Sequence, residues 1–122
     1  ELLSITVNCF RDKDLSAAHQ VEPLEQVIDD LVRKIKMHHV ARLKDGSCSI
    51  EYGFVLEDLL TGYERIADHC SNVAVAMIEV AEGSFDTHQY LTGIKNGGND
   101  EFYLYYGNFR TRYRLEDERK SS

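Results

Sequence analysis

The chain has 122 residues, 43% of them hydrophobic and 29% charged, the balance of one globular domain long enough to bury a core without staples. Its 21 acids against 14 bases leave a net charge of −7, which speaks against nucleic acid and against adsorption to an anionic membrane surface. No apolar run approaches the roughly 18 to 20 residues of a membrane span, and the three cysteines (Cys9, Cys48, Cys70) form no CxxC pair, so a reducing compartment is expected rather than a disulfide framework.

Leu2, Ile5 and Cys9 carry a helical apolar spacing from the outset. They predict a short first helix ending near Arg11, one that starts in full stride as a piece cut from a longer chain would. Asp12-Lys13-Asp14 is its exit loop, and Asp14 is placed to cap a second helix over about 15–43. Ala17, Val21, Leu24, Ile28, Leu31 and Ile35 form the seam of that helix, with Pro23 either kinking it or restarting it near a first turn. Lys44-Asp45-Gly46-Ser47 is the turn into the third helix, over about 50–82, which Gly83 closes. Tyr52, Leu56, Leu59, Tyr63, Ile66, Cys70, Val73, Met77 and Val80 alternate spacings of four and three along it, a heptad seam that implies near-parallel packing on the second helix. Beyond it the spacing predicts a short helix over about 87–95, a break at Asn96-Gly97-Gly98-Asn99, and a last helix from Asp100 to about Arg114 with Phe102, Tyr106, Phe109 and Tyr113 on one stripe. Residues 116–122 read as a charged tail. No segment alternates with period two. The expected fold is an all-α antiparallel helical bundle, one domain over 1–122, built on two long helices with shorter helices at either end.

The chemistry concentrates on the two long helices. Glu64 and Asp68 are four apart, so their carboxylates share one helix face, a repulsive arrangement that calls for something positive nearby. Glu25 and Asp29 repeat the ExxxD spacing on the other helix, and Glu22 joins them one turn earlier. At 100° per residue, Glu64, Asp68 and Ser71 fall away from the apolar seam, with Arg65 and Asn72 to the flank. If the two acidic faces meet, four or five carboxylates make an oxygen-rich site for a divalent or trivalent cation. The competing reading is two solvated acidic faces that bind nothing. His69 reads as a half-buried packing residue or a ligand, Arg65 as an intrahelical ion-pair partner or an anion contact, and Asn72 as a hydrogen-bonder to a neighbouring helix. His38 and His39 are adjacent and point about 100° apart, so they do not easily share an ion. Catalytic signatures are absent: there is no GxGxxG, no P-loop and no HExxH, and an enzyme is not expected.

Glu64-Arg65-Ile66-Ala67-Asp68-His69 with Asn72-Val73-Ala74 resembles the ERIGDH-x-x-NIA signature of the PhoU family, with Ala67 where that motif commonly has glycine. Val21-Glu22-Pro23-Leu24-Glu25-Gln26-Val27-Ile28-Asp29 resembles the preceding ExxxD helix of the same family. The fuller phrase through Val75, and then Phe85-Asp86-Thr87-His88-Gln89-Tyr90-Leu91, is similar to the PhoU-like region at the C-terminus of bacterial sodium/phosphate cotransporter family proteins. The resemblance covers about 21–115. It implies a PhoU-like bundle on the cytoplasmic side of the inner membrane, with the membrane-spanning part of the same transporter as partner and a homo-oligomer as a further form. It also implies that Glu25, Asp29, Glu64 and Asp68 are metal-binding positions. A free-standing PhoU-type regulator of phosphate uptake is the alternative.

Overall fold

The computed structural model describes residues 1–83 and 100–115; the expected helix over 87–95, the Phe85–Leu91 phrase and the charged tail lie outside the described residues. Five helices and no strand are described: α1 (Leu2–Asp12), α2 (Leu15–Ala18), α3 (Val21–Asp45), α4 (Ile50–Glu82) and α5 (Asp100–Arg112). The all-α bundle on two long helices is therefore as expected.

The predicted second helix is two. The Asp14 side chain accepts from the Ala17 backbone N–H at 3.1 Å and starts a single turn, α2, which stops at His19. The chain restarts at Val21 with Pro23 in the first turn of α3, where a missing N–H costs nothing. Gly46 closes α3 at φ +79°, a left-handed conformation that glycine adopts without strain, and its N–H bonds the Arg42 carbonyl. Ser49 then caps α4 through a 3.2 Å bond from the Tyr52 N–H. At 1.5 Å per residue, the 33 residues of α4 span about 50 Å without interruption.

Interhelical pairs fix the topology. Glu22 meets Ser71, Glu25 lies beside Asp68, Asp29 beside Glu64, Lys36 beside Glu57, and His39 against Gly53. As one number rises the other falls, so α3 and α4 are antiparallel in one continuous register. α5 runs parallel to α3, with Tyr106 donating to Asp30 and Arg110 and Tyr113 beside Lys34. α1 lies alongside α4, where the Cys9 thiol is 3.8 Å from the Met77 sulfur. The core is Leu2 and Cys9 of α1, Val21, Leu24 and Val27 of α3, Ala67, Cys70, Ala74 and Ile78 of α4, and Phe109 of α5.

The α4 seam is rotated from the expected one. Of the nine heptad residues only Cys70 is fully buried, whereas Tyr52 is 75% and Tyr63 59% exposed. The stripe that packs on α3 runs one residue later, through Gly53, Leu60, Ala67 and Ser71. Small side chains there let the two backbones approach; at Gly53 an added Cβ would stand 2.7 Å from the His39 ring nitrogen. The heptad stripe instead faces α1 near Met77, as the Cys9–Met77 contact shows, while Tyr52, Leu59, Tyr63 and Ile66 are exposed among the described residues.

Candidate functional site

That one-residue rotation brings Glu64 and Asp68 round to the α3–α4 junction. The structure thus places the two ExxxD pairs side by side: Glu22, Glu25 and Asp29 from α3 face Glu64, Asp68 and Ser71 from α4. They do not form the surface cluster expected from the sequence. Glu22 and Glu25 are each only 6% exposed, Asp29 and Glu64 are half-buried, and Asp68 alone is exposed. Carboxylates sunk this far cannot all remain ionised without help.

Three devices supply the help. The Ser71 hydroxyl donates to a Glu22 carboxylate oxygen across the two helices. Lys36 places its ammonium 3.3 Å from Glu64 and 3.3 Å from Glu57, and those two carboxylates raise its own pKa. Glu25 and Asp29 share a proton. Burial pushes Glu25 from an ordinary 4.5 to about 8, with the charges of Glu22, Asp29 and Asp68 adding to it. The pKa of Asp29 is also raised, by burial and then by Asp68, while a hydrogen bond from Glu25 and the charge of Arg33 act the other way. At neutral pH Glu25 is therefore a buried carboxylic acid donating to the Asp29 carboxylate.

The donor set is chemically suited to a hard cation, since it offers only carboxylate oxygens and one hydroxyl. Its spacing is pairwise: among the described residues no three His, Cys, Asp or Glu side chains stand together as a metal-binding group. The flanking residues take plain roles. His69, expected to be half-buried, is exposed, as are Arg65 and Asn72. Arg65 makes no ion pair among the described residues. His38 is exposed and His39 is buried against Gly53, with the Cys48 thiol 3.7 Å from its Nδ1. Sequence reasoning missed Lys36 and the Glu22–Ser71 bond; the antiparallel register, once fixed, would have found both.

Elsewhere, an open groove of about 690 Å³ lies between α1 and the end of α4, lined by Phe10, Leu15, Val73, Met77 and Val80 with Lys13 at its edge. It carries no nucleophile or acid–base pair. Among the described residues no helix is long and apolar enough to cross a membrane.

The fold and site together define an all-α bundle domain whose two long helices share an acidic face across a pair of ExxxD repeats. The PhoU domain family model matches residues 1–77, and the chain belongs to that family. It is similar to the phosphate-specific transport system accessory protein PhoU homolog 1 of Thermotoga maritima, 27% identical over 88 residues, which are 72% of this chain and 38% of that protein. The chain thus spans well under half the length of the curated relative it matches. No solved structure matches it.

Proposed function

We propose that this chain is a non-enzymatic regulatory domain acting on phosphate transport. The observation that supports this most is the PhoU family match over 1–77, which contains both ExxxD pairs and the register that sets them side by side. The relative's name, a phosphate-specific transport system accessory protein, is consistent with it. The finer reading is a cytoplasmic domain of a sodium-dependent phosphate transporter, whose partner is the membrane-spanning part of the same protein. A free-standing PhoU-type regulator is the second form of the same idea. The likeness of the phrase from Glu64 through Val75, and of Phe85-Asp86-Thr87-His88-Gln89-Tyr90-Leu91, to cotransporter proteins is what favours the first.

In this reading Glu25, Asp29, Glu64 and Asp68 form the responsive face, and a divalent or trivalent cation would be held there in competition with the proton that Glu25 and Asp29 share. The affinity would then rise with pH as that proton becomes easier to remove. The test is made in cells carrying the full gene. Deleting the domain, or changing Asp29→Asn with Asp68→Asn, should alter phosphate uptake and its dependence on external phosphate. Membrane fractionation of the gene product separates the two forms. Unchanged uptake and unchanged phosphate response in both strains would sink the proposal.

A further inference from the structure

The turn that joins the two long helices holds a second group of reactive side chains, at the far end of the hairpin from Glu22 and Ser71. His39, near the end of α3, is only 8% exposed. Its ring lies over Gly53 of α4, where an added Cβ would stand 2.7 Å from Nε2 and 2.8 Å from Cε1. Glycine at that position is what admits the imidazole, and the ring is held between the two helices. An apolar side chain would pack there with no polar atom to satisfy. A buried polar ring costs free energy unless its nitrogens are bonded. Yet among the described residues no nitrogen or oxygen atom bonds either of them, and the one polar contact is the Cys48 thiol, 3.7 Å from Nδ1.

Cys48 is the natural complement of that ring. Of the three thiols it alone is half-buried, whereas Cys9 and Cys70 are buried in the core. Burial, and then the charge of Asp14, pushes Cys9 up, so that its thiol surrenders a proton less readily. Cys48 stands immediately before Ser49, the cap of the 33-residue α4. The N–H groups of a helix's first turn favour negative charge on a sulfur placed there. Its other contact is the Ser49 carbonyl at 3.4 Å. Asp45, in the same turn, accepts from the Ser47 N–H at 2.9 Å and from the Ser47 hydroxyl, which leaves the imidazole to the thiol.

We propose that Cys48 is a reversible thiolation site, with His39 as its base and a small aliphatic disulfide as its reagent. In the tautomer that carries its proton on Nε2, His39 accepts the thiol proton at Nδ1. The Cys48 sulfur attacks one sulfur of the disulfide RSSR along the axis of its S–S bond. That bond breaks as the new bond between Cys48 and SR forms, and the departing thiolate takes the proton from the imidazole to leave as RSH. One disulfide is consumed and one is made, so no further oxidant enters the step. An excess of RSH runs the same steps backwards. The half-buried position of the sulfur, between the turn and the His39 ring, selects a small reagent over the disulfide of another protein.

The test treats the folded chain with dithiodipyridine and, separately, with oxidised glutathione, and locates the adduct by peptide mass mapping. A single adduct should form at Cys48, while Cys9 and Cys70 should react only in denaturant. His39→Gln should slow the Cys48 reaction by about tenfold at neutral pH. Gly53→Ala keeps the imidazole but drives it off its seat, and should slow the reaction several-fold. The direction of these effects separates chemistry from packing. A change that merely loosened the turn would expose Cys48 and speed its labelling, and would unmask Cys9 and Cys70 as well. An excess of reduced glutathione should return the glutathione adduct to the starting mass. First reaction at Cys9 or Cys70 overturns the proposal. So does labelling of Cys48 that is as fast or faster in His39→Gln.

Discussion

The sharpest consequence of the acidic junction is that Glu25→Gln should stabilise the protein at alkaline pH and do nothing at acid pH. Glu25 is 6% exposed and its carboxyl titrates near 8 rather than 4.5. The folded state therefore keeps a proton that the unfolded chain surrenders above about pH 4.5. Between about pH 4.5 and 8 the native protein binds more protons than the unfolded one, so stability falls as pH rises through that window. A displacement of that size has a ceiling of ~5 kcal/mol. Asp29 shares the proton and water reaches the exposed Asp68 edge, which reduces the expected effect to about 2 kcal/mol. Glutamine keeps the shape and the donated hydrogen bond to Asp29 but has no proton to lose. Denaturant unfolding followed by circular dichroism at about pH 5, 6.5 and 8 should show a wild-type protein that weakens with pH and a variant with a much flatter profile. At about pH 8 the variant should melt higher by on the order of 8 °C. The small remaining slope belongs to Asp29. A wild-type profile that is level from about pH 5 to 8, or a variant gain that is equal at both ends, would refute the shared proton.

Four further outcomes follow from named contacts. Asp29→Asn with Asp68→Asn should abolish any rise in melting temperature caused by divalent or trivalent cations, while leaving the cation-free protein as stable or slightly more so; calorimetric melts with and without the metal check both halves. Gly53→Ala should cost about 1–3 kcal/mol by urea unfolding, because the new methyl meets the His39 ring at 2.7 Å, and a second change, His39→Ala, should cost less in that background than alone. Ser71→Ala should cost about 1–3 kcal/mol, because the buried Glu22 carboxylate loses its cross-helix donor. Duplex DNA should show no mobility shift at physiological salt, since a surface carrying a net charge of −7 cannot neutralise phosphates.

Helix existence was legible because its signals are local. Asp14, Gly46 and Gly83 each carry a capping or stopping chemistry that acts within three or four residues, and α4 ends where Gly83 says. The break between α2 and α3 was only half legible. Pro23 offered a kink or a restart, and the outcome turned on His19 and Gln20, which carry no breaking signal of their own. The meeting of the two ExxxD pairs was readable as a conditional, since each pair shares a face of its own helix. The depth to which those carboxylates sink was not readable, because burial depends on which helix lies opposite.

The rotation of α4 shows why. Heptad reasoning weighs large apolar side chains, and on α4 these are Tyr52, Leu59, Tyr63 and Ile66. A helix in a bundle, however, has more than one neighbour, and the tightest of its contacts is chosen by what lets backbones approach. Toward α3 that is Gly53, Ala67 and Ser71, residues that carry little hydrophobic signal but allow the register in which Glu25 meets Asp68 and Lys36 meets Glu64. The bulky stripe is thereby left for a different partner: α1 along its last turns, and along its first half nothing among the described residues. Had the large residues faced α3, the ExxxD pair of α4 would have turned to solvent, as the sequence reading expected, and Glu25 would keep an ordinary carboxylate's affinity for protons. The acidic junction and the bare apolar stripe are thus two results of one choice of helix face. A substitution that enlarges the small stripe, such as Gly53→Ala, should disturb the junction twice over: it should loosen the α3–α4 register and lower the Glu25 pKa as water enters. Side-chain carboxyl titration by NMR in that variant reads the second effect directly. An unchanged Glu25 titration despite a measured loss of stability would separate the junction from the packing that we hold responsible for it.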